Sequence, residues 1–233
     1  MKLKILIILP TLNYCGGIES FFINYYKNMS TDITMDVITH ENDSNEYKEF
    51  FEERGGNIYV FEKLNFKNMV RFIQNLKAFF RKHHDYDVVH CNMANAAFFY
   101  FYYAKKYEIN TRILHSHQSN YADKTLHKIR NIPLIFLGKK LATNNVACSK
   151  IAGDFLFGKK EYVIFNNAVD TDKFVYNKEI RKNIRKKYEI NDCKLIGNIG
   201  RLTKQKNHRF LIDIFKEIKQ IDENYKLLII GNR

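Results

Sequence analysis

Two segments of the chain join an apolar strand to a glycine loop in a way suited to binding phosphate. Leu3 to Leu9 precedes Gly16-Gly17-Ile18-Glu19, and Leu195 to Ile199 precedes Gly200-Arg201 and Lys206. Glycines between a strand and a helix expose backbone N–H groups and the positive helix end to an anion. The repeat predicts two nucleotide-type domains facing a cleft, the second incomplete because the chain ends soon after its strand.

The elements that must position these loops alternate along the chain. Segments with helical spacing separate the predicted strands, which lie at 34–39, 57–61, 87–90, 112–114, 145–148 and 162–165. Strands alternating with helices imply parallel crossovers. The predicted fold class is therefore α/β, with a doubly wound, Rossmann-like parallel sheet. The helix predicted over 124–141 is expected to break at Pro133, since proline removes a backbone donor.

The alternation changes after Phe165, where a turn-rich segment leads into a charged helix. We therefore place one complete domain at residues 1–165, and a linker with the beginning of a second domain at 166–233. A domain of the first size can bury about 70% of its unfolded surface and fold alone. The apolar share of 45% is typical of a compact globular protein.

The composition argues against several classes of protein. No stretch reaches the roughly 18 apolar residues of a spanning helix, and the short run before Pro10 predicts a strand instead of a signal peptide. The four cysteines lie far apart, which argues against a zinc site or disulfide framework and favours a cytoplasmic protein. Nucleic acid is not an expected partner, because no recognition motif accompanies the basic charge.

The net charge of +13 has two open interpretations. Lysine could simply cover every solvated face, or it could mark a surface for an anionic partner. Basic residues cluster around the apolar run Ile132 to Leu137; they are Lys124, His127, Lys128, Arg130, Lys139 and Lys140. This segment fits either a helix resting on the anionic inner face of the cell membrane or a core helix with charged ends.

Five short motifs occur in a fixed order along the chain. They are Gly16-Gly17-Ile18-Glu19, His115-Ser116-His117, Ala147-Cys148-Ser149-Lys150, Asn166-Asn167-Ala168-Val169-Asp170 with Phe174, and Gly200-Arg201-Leu202 with Gln205-Lys206-Asn207-His208. Together they make the chain resemble the family 4 glycosyltransferases of the two-domain GT-B fold, especially those that build bacterial capsule and exopolysaccharide. The order of the motifs carries the specificity, and the resemblance covers nearly the whole chain.

The resemblance implies an enzyme that moves a hexose from a nucleotide sugar, expected to be a UDP-sugar, to a lipid-linked saccharide with retention at the anomeric carbon. It implies no cofactor, because the nucleotide sugar is a substrate. It also implies no obligatory metal. Arg201 and Lys206 match the family's pair that grips the donor phosphates, where each charge-assisted hydrogen bond contributes roughly 1.5–3 kcal/mol. Gly16 and Gly17 match the loop facing the donor, where a Cβ would obstruct the approach and positive φ could be required.

The resemblance also separates the roles of the histidines. His117 matches the histidine at the end of the fifth strand, where it would orient hydroxyl groups instead of acting as a general base. His115 should share its strand face, and is either a satisfied core histidine or a second acceptor-side candidate. Glu19 is another acceptor-side candidate, unless it only favours the helix dipole. His90 is expected to be structural.

Some features depart from the family pattern or imitate another one. Asp85-Tyr86-Asp87 and Asp170-Thr171-Asp172 spell the metal-binding triplet of the other major glycosyltransferase fold, but their positions at a strand start and a junction turn argue against metal. The usual Asn-Gly of the junction is Asn166-Asn167 here. The family's donor-site glutamates would lie beyond residue 233. The chain is therefore expected to be part of a longer enzyme, or a truncated or noncatalytic partner subunit of a split one.

Overall fold

The computed structural model describes residues 2–13, 16–41, 45–65, 67–118, 125–190 and 192–231. The chain divides into two compact units, Met1–Asp170 and Thr171–Arg233. This division falls a few residues after the boundary expected at residue 165.

The described part of the first unit contains one parallel sheet of seven strands. They are β1 (Leu3–Ile8), β2 (Ile33–Thr39), β3 (Ile58–Val60), β4 (Val88–Cys91), β5 (Thr111–Ser116), β6 (Asn144–Ala147) and β7 (Val163–Ile164). Their order in the sheet is β3-β2-β1-β4-β5-β6-β7. The direction of winding reverses between β1 and β4, and ligands of doubly wound sheets bind at the carboxyl ends of the strands beside such a reversal. The predicted α/β class is confirmed.

Helices cover both faces of this sheet. They are α1 (Gly17–Lys27), α2 (Asn45–Glu53), α3 (Met69–Lys82), α4 (Ala97–Lys106), α5 (Thr125–Leu141) and α6 (Lys150–Phe157). Because successive side chains of a strand point to opposite faces, Ile7 packs with α1 and α2, whereas Leu6 and Ile8 pack with the other helices. Both faces are apolar, as expected of a parallel sheet buried on two sides.

Helix α5 continues through Pro133, so the predicted break is wrong. Proline removes one hydrogen bond, but packing against α4 holds the helix on both sides of it. Ile135 is buried, and Gly138 lies so near Ala97 that a Cβ would come to 3.1 Å from its side chain. Tertiary contact therefore outweighs the local cost of the proline.

The second unit contains α7 (Lys178–Lys187), β8 (Lys194–Ile199), α8 (His208–Ile221) and β9 (Tyr225–Ile230). Strands β8 and β9 pair in parallel, with α8 as their crossover. Their carboxyl ends approach closely, because a Cβ on Gly231 would lie 1.9 Å from the Gly200 carbonyl oxygen. The unit therefore begins a second Rossmann-like sheet, as predicted.

Candidate functional site

The carboxyl edge of the first sheet joins the ends of β1, β4 and β5 through Asn92. Its Nδ2 donates to the Ile8 carbonyl oxygen at 3.1 Å, and its backbone N–H donates to the same oxygen at 3.1 Å. Its Oδ1 lies 2.8 Å from Nε2 of His117, which follows β5. The buried Asn92 side chain therefore connects three adjacent strands and positions His117, the histidine expected to orient hydroxyl groups.

These contacts fix the tautomer of His117. A carbonyl oxygen only accepts hydrogen bonds, so the side-chain nitrogen of Asn92 must face Ile8, and its oxygen must face the imidazole. Nε2 of His117 therefore carries the proton, and Nδ1 keeps its lone pair. Within the described part of the chain, no hydrogen bond reaches this Nδ1, and the half-buried ring can accept one from a hydroxyl group.

The other two histidines lie beside His117 beneath α1. The ring centroids of His115 and His117 are 3.9 Å apart, and Nε2 of His90 lies 3.1 Å from Nδ1 of His115. Phe21 meets both His115 and His117 edge-on, and Phe22 meets His90 in the same way. The rings form one aromatic layer at the end of the sheet.

Burial in this layer keeps the histidines neutral. It lowers the pKa of His117 to about 4 and that of His90 to about 3, and it lowers the pKa of His115 as well. His115 is 1% exposed, and its Nε2 has no hydrogen-bond partner among the described residues. It is thus a core histidine, although one ring nitrogen is left unsatisfied by the side chains that the structure describes.

Glu19 is turned inward at the start of α1. Its carboxylate is buried and accepts a short hydrogen bond from the Thr11 hydroxyl, in the loop after β1. A Cβ on Gly16 would lie 2.0 Å from Oε2 of Glu19. The carboxylate therefore fastens the glycine loop to the first turn of the helix.

The two loop glycines serve different physical needs. Gly16 has a φ of −70°, and Gly17 is not among the glycines with positive φ, so the expected need for positive φ is wrong. Gly16 is required by the close approach of Glu19. Among the residues that the structure describes, nothing lies within 4 Å of where a Cβ on Gly17 would be, so that side of the loop leaves room for a ligand.

The second unit carries the predicted phosphate-binding pair on one loop. Arg201 directly follows Gly200 at the end of β8 and is exposed. Lys206 closes the short 3-10 turn Lys204–Lys206, and its aliphatic stem lies 3.5 Å from where a Cβ of Gly200 would be. Asn207, with a φ of 48°, then turns the chain into α8. Both cations therefore stand at the carboxyl end of one strand.

The remaining motifs have local structural roles in the first unit. Ser149 caps α6 by accepting the Ala152 N–H at 3.3 Å. The junction turn is attached to α1, because the Asn166 carbonyl accepts the Tyr25 hydroxyl at 2.8 Å and the Ala168 carbonyl accepts Asn24 Nδ2 at 2.9 Å. The turn that resembles the family's junction thus borders the helix that covers the histidines.

The Asp-x-Asp triplet at residues 85–87 pairs with a lysine. The Lys4 ammonium lies 2.8 Å from Asp85, and the Lys4 backbone N–H donates to Asp87 at 2.8 Å. Among the residues that the structure describes, no group of three or more His, Cys, Asp or Glu side chains is arranged to hold a metal ion.

Asn92 and Thr11 were missed in the sequence-based set of site residues. Each is a polar residue just beyond a predicted apolar strand, and the carboxyl ends of parallel strands meet at one edge. That position was the available signal. The hydrogen bonds of Asn92 to Ile8 and His117 depend on strand order, which the sequence alone did not provide.

The parallel sheet, its point of reversal and the glycine loops define the first domain and the beginning of the second domain of a GT-B protein. The sequence profile described as Glycosyltransferase Family 4 matches residues 15–173, and that described as Glycosyl transferases group 1 matches residues 180–233. The chain belongs to glycosyltransferase family 4.

Related proteins place this family membership in context. EpsF of Bacillus subtilis (strain 168), named as a glycosyltransferase, is 26% identical over 238 residues, covering 98% of this chain and 62% of EpsF. HepE of Anabaena, solved with UDP-glucose, superposes with a TM-score of 0.73 at 14% identity, covering 99% of this chain and 61% of HepE. The chain thus spans less than two thirds of the length of either relative.

The fold is also shared with a further glycosyltransferase and with an epimerase, which is an enzyme of another reaction class. A glycosyltransferase of Rickettsia africae matches with a TM-score of 0.69 at 20% identity, over 99% of this chain and 60% of that one. The UDP-GlcNAc 2-epimerase of Methanocaldococcus jannaschii matches with a TM-score of 0.55 at 16% identity, over 98% and 65%. At these identities the likeness shows the fold alone.

Lowering the pH should destabilise the chain through its buried histidines. An unfolded histidine titrates near 6.5, whereas the folded pKa is about 3 for His90 and about 4 for His117. Between these values the unfolded state binds protons that the folded state does not. The free energy of unfolding should therefore decrease as the pH is lowered, with a slope that approaches about 1.4 kcal/mol per pH unit for each such histidine below about pH 6, measured by urea unfolding from about pH 7 to about pH 5.

Replacing His90 tests the origin of that slope. His90→Phe keeps an aromatic ring beside Phe22. It should reduce the slope of the unfolding free energy against pH by the contribution of about one proton. His84→Phe removes an exposed histidine and serves as the matched control. An unchanged slope in His90→Phe would contradict the assignment.

Proposed function

We propose that the complete protein transfers a hexose from a UDP-sugar to a lipid-linked saccharide in exopolysaccharide or capsule synthesis, with retention at the anomeric carbon. The observation that carries this proposal is His117, held neutral with a free Nδ1 lone pair one strand from the reversal point in a family 4 chain. Similarity to EpsF, which is named as a glycosyltransferase, favours glycosyl transfer, and HepE solved with UDP-glucose favours a nucleotide sugar.

The second unit supplies positive charge for the donor. Breaking the bond to the sugar leaves a diphosphate, so the site must stabilise developing negative charge. Arg201 offers a planar fork of N–H donors, and Lys206 offers an ammonium on the same loop. In the first unit, the open side of Gly17 leaves room for a phosphate to approach the N-terminus of α1.

The first unit positions hydroxyl groups through His117. Because Nε2–H is committed to Asn92, the imidazole presents Nδ1 as an acceptor. A sugar hydroxyl that donates to Nδ1 is oriented with its oxygen lone pairs directed elsewhere. Glu19 contributes indirectly by fastening the Thr11 and Gly16 loop.

The same geometry argues for a particular path of the proton. The acceptor oxygen bonds to the anomeric carbon while the bond from that carbon to the diphosphate oxygen breaks on the same face. A histidine with a pKa of about 4 is a weak base at neutral pH, so it does not take the acceptor proton. The departing phosphate oxygen takes it, and His117 acts by orientation.

Arg201→Ala in the full-length enzyme should lower kcat/KM for UDP-sugar about ten- to hundredfold, because a charge-assisted hydrogen bond to the diphosphate is lost. UDP release with and without membrane acceptor, across a panel of UDP-sugars, measures the effect. Lys216→Ala, which removes an exposed charge from α8, is the control. Equal rates for Arg201→Ala and wild type would contradict the assigned role, and no UDP release by the wild type with any sugar would contradict the function.

A membrane-facing surface is part of the same proposal. Within the described residues, no helix is long and apolar enough to cross a bilayer. The outer face of α5, formed by Ile129, Ile132 and Phe136, exposes large apolar side chains on one helical stripe. Lys140 lies 4.5 Å from the Phe136 ring centroid, and Lys139 is adjacent in sequence. The side chains of Lys124, His127, Lys128 and Arg130 lie outside the described residues. Apolar groups beside ammonium groups suit the surface of an anionic bilayer.

Replacing Ile132 and Phe136 together by Asp should reduce co-flotation of the chain with anionic vesicles at least about fivefold, since both apolar contact and charge attraction are weakened. Ile151→Asp and Val163→Asp together, which add the same two negative charges at exposed apolar positions of α6 and β7, should leave flotation unchanged. Equal loss in both variants would mean that overall charge, and not the outer face of α5, governs binding.

A further inference from the structure

A cavity of about 620 Å³ opens near the carboxyl edge of the sheet in the first unit. It lies beside the loop after β1 and the start of α3, and against α4 and α5. Its walls are mainly apolar and include Leu64, Met69, Met93, Ala96, Phe99 and Leu134. Its volume falls within the range of about 300–1,000 Å³ typical of small-molecule sites.

Three polar groups in the cavity wall are already engaged. His40 accepts the Tyr100 hydroxyl at Nε2 over 3.1 Å, and its Nδ1 donates to the Phe61 and Glu62 carbonyls at 3.2 and 3.1 Å. The Thr11 hydroxyl donates to Glu19, and Lys63 pairs with Glu41. Since these groups have partners, the cavity offers mostly apolar contact and favours an apolar ligand.

A basic depression adjoins this cavity and shares His40, Lys63 and Asn65 with it. The depression adds Lys67, Asn68, Arg71 and Glu62 to its wall. Arg71 pairs with Glu62, whereas Lys67 is exposed and has no ion pair within the described residues. Lys63 and Arg71 each pair with a carboxylate, so Lys67 leaves one net positive charge, which favours an anion at the mouth of the apolar space.

We propose that the cavity and the basic depression together bind the apolar chain and the phosphate of the lipid-linked acceptor. The chain enters the cavity, and the phosphate lies at Lys67, beside the Lys63–Glu41 ion pair. This inference rests on the proposed function and assigns to it the chemical class of the acceptor lipid. The cavity also borders α5, whose Asn131 and Leu134 line it while Ile132 lies on the outer face.

A single tryptophan can report on the cavity, because the chain contains none. Phe99→Trp places the indole in the wall, and Tyr102→Trp places it on the exposed side of the same helix. Farnesyl phosphate should produce a saturable change in emission from Phe99→Trp and none from Tyr102→Trp. Dodecyl phosphate, run in parallel, separates preference for an isoprenoid chain from preference for a straight one.

The contribution of the phosphate is measured by comparing farnesyl phosphate with farnesol in the Phe99→Trp background. Adding Lys67→Gln should weaken farnesyl phosphate binding about three- to tenfold and leave farnesol binding unchanged. Lys77→Gln removes an equal exposed charge from α3 outside the depression. It should change neither affinity.

The outcomes separate this inference from the proposed function. Leu134→Trp, which narrows the cavity, should raise KM for the lipid-linked acceptor in the full-length enzyme at least about fivefold, whereas Tyr102→Trp on the exposed side of α4 should not. No response of Phe99→Trp to either phosphate, together with unchanged transfer by Leu134→Trp, overturns the cavity assignment and leaves the glycosyltransferase in place. A saturable response without transferase activity overturns the proposed function and keeps the cavity as a site for a lipid phosphate. Circular dichroism of each variant confirms that it is folded.

Discussion

The arrangement of the site depends on one side-chain amide, that of Asn92. Its nitrogen donates to the Ile8 carbonyl, and its oxygen accepts from His117, so two opposite ends of one small group are used at once. The reach is possible only because β4 lies between β1 and β5 in the sheet. A carboxylate in this place would set an oxygen against the Ile8 carbonyl, and an apolar residue would leave the imidazole free to rotate. The topology therefore makes an amide the suitable group here.

The consequence for chemistry is a histidine that keeps its proton in a fixed place and does not gain another near neutral pH. Burial beneath Phe21 and Phe22 keeps all three rings of the histidine layer neutral. A neutral ring with a defined lone pair is suited to orienting a hydroxyl group. In the proposed function, stabilisation of the leaving diphosphate is assigned to two cations of the second unit, Arg201 and Lys206.

Much of the fold could be predicted from the sequence, because alternating apolar periods specify strands and helices locally. The strand-to-glycine-loop units and the parallel sheet followed from such local patterns. The prediction of a helix break at Pro133 was wrong, because the packing of Ile135 and Gly138 against α4 is a long-range effect that local patterns do not show. The glycine loop was found for partly the wrong reason, since contact with Glu19 and not backbone φ excludes a side chain at Gly16.

The site was less predictable than the fold. His117 was selected because it matches a histidine of the family that the chain resembles, and His115 because it should share the same strand face, but which ring nitrogen is free could not be inferred without Asn92. The cavity proposed to bind the acceptor lipid could not be predicted from the sequence. Its walls come from the loop after β1 and from α3, α4 and α5, and its apolar residues resemble ordinary core positions.

The protonation of His117 tests the central claim most directly. Nitrogen NMR of ¹⁵N-histidine-labelled protein, with His117 assigned by comparison with His117→Gln, reports each ring nitrogen separately. The account predicts a protonated Nε2 and an unprotonated Nδ1 that persist as the pH is lowered towards a pKa of about 4. A proton on Nδ1, or titration of the ring near the ordinary histidine value of about 6.5, would contradict it.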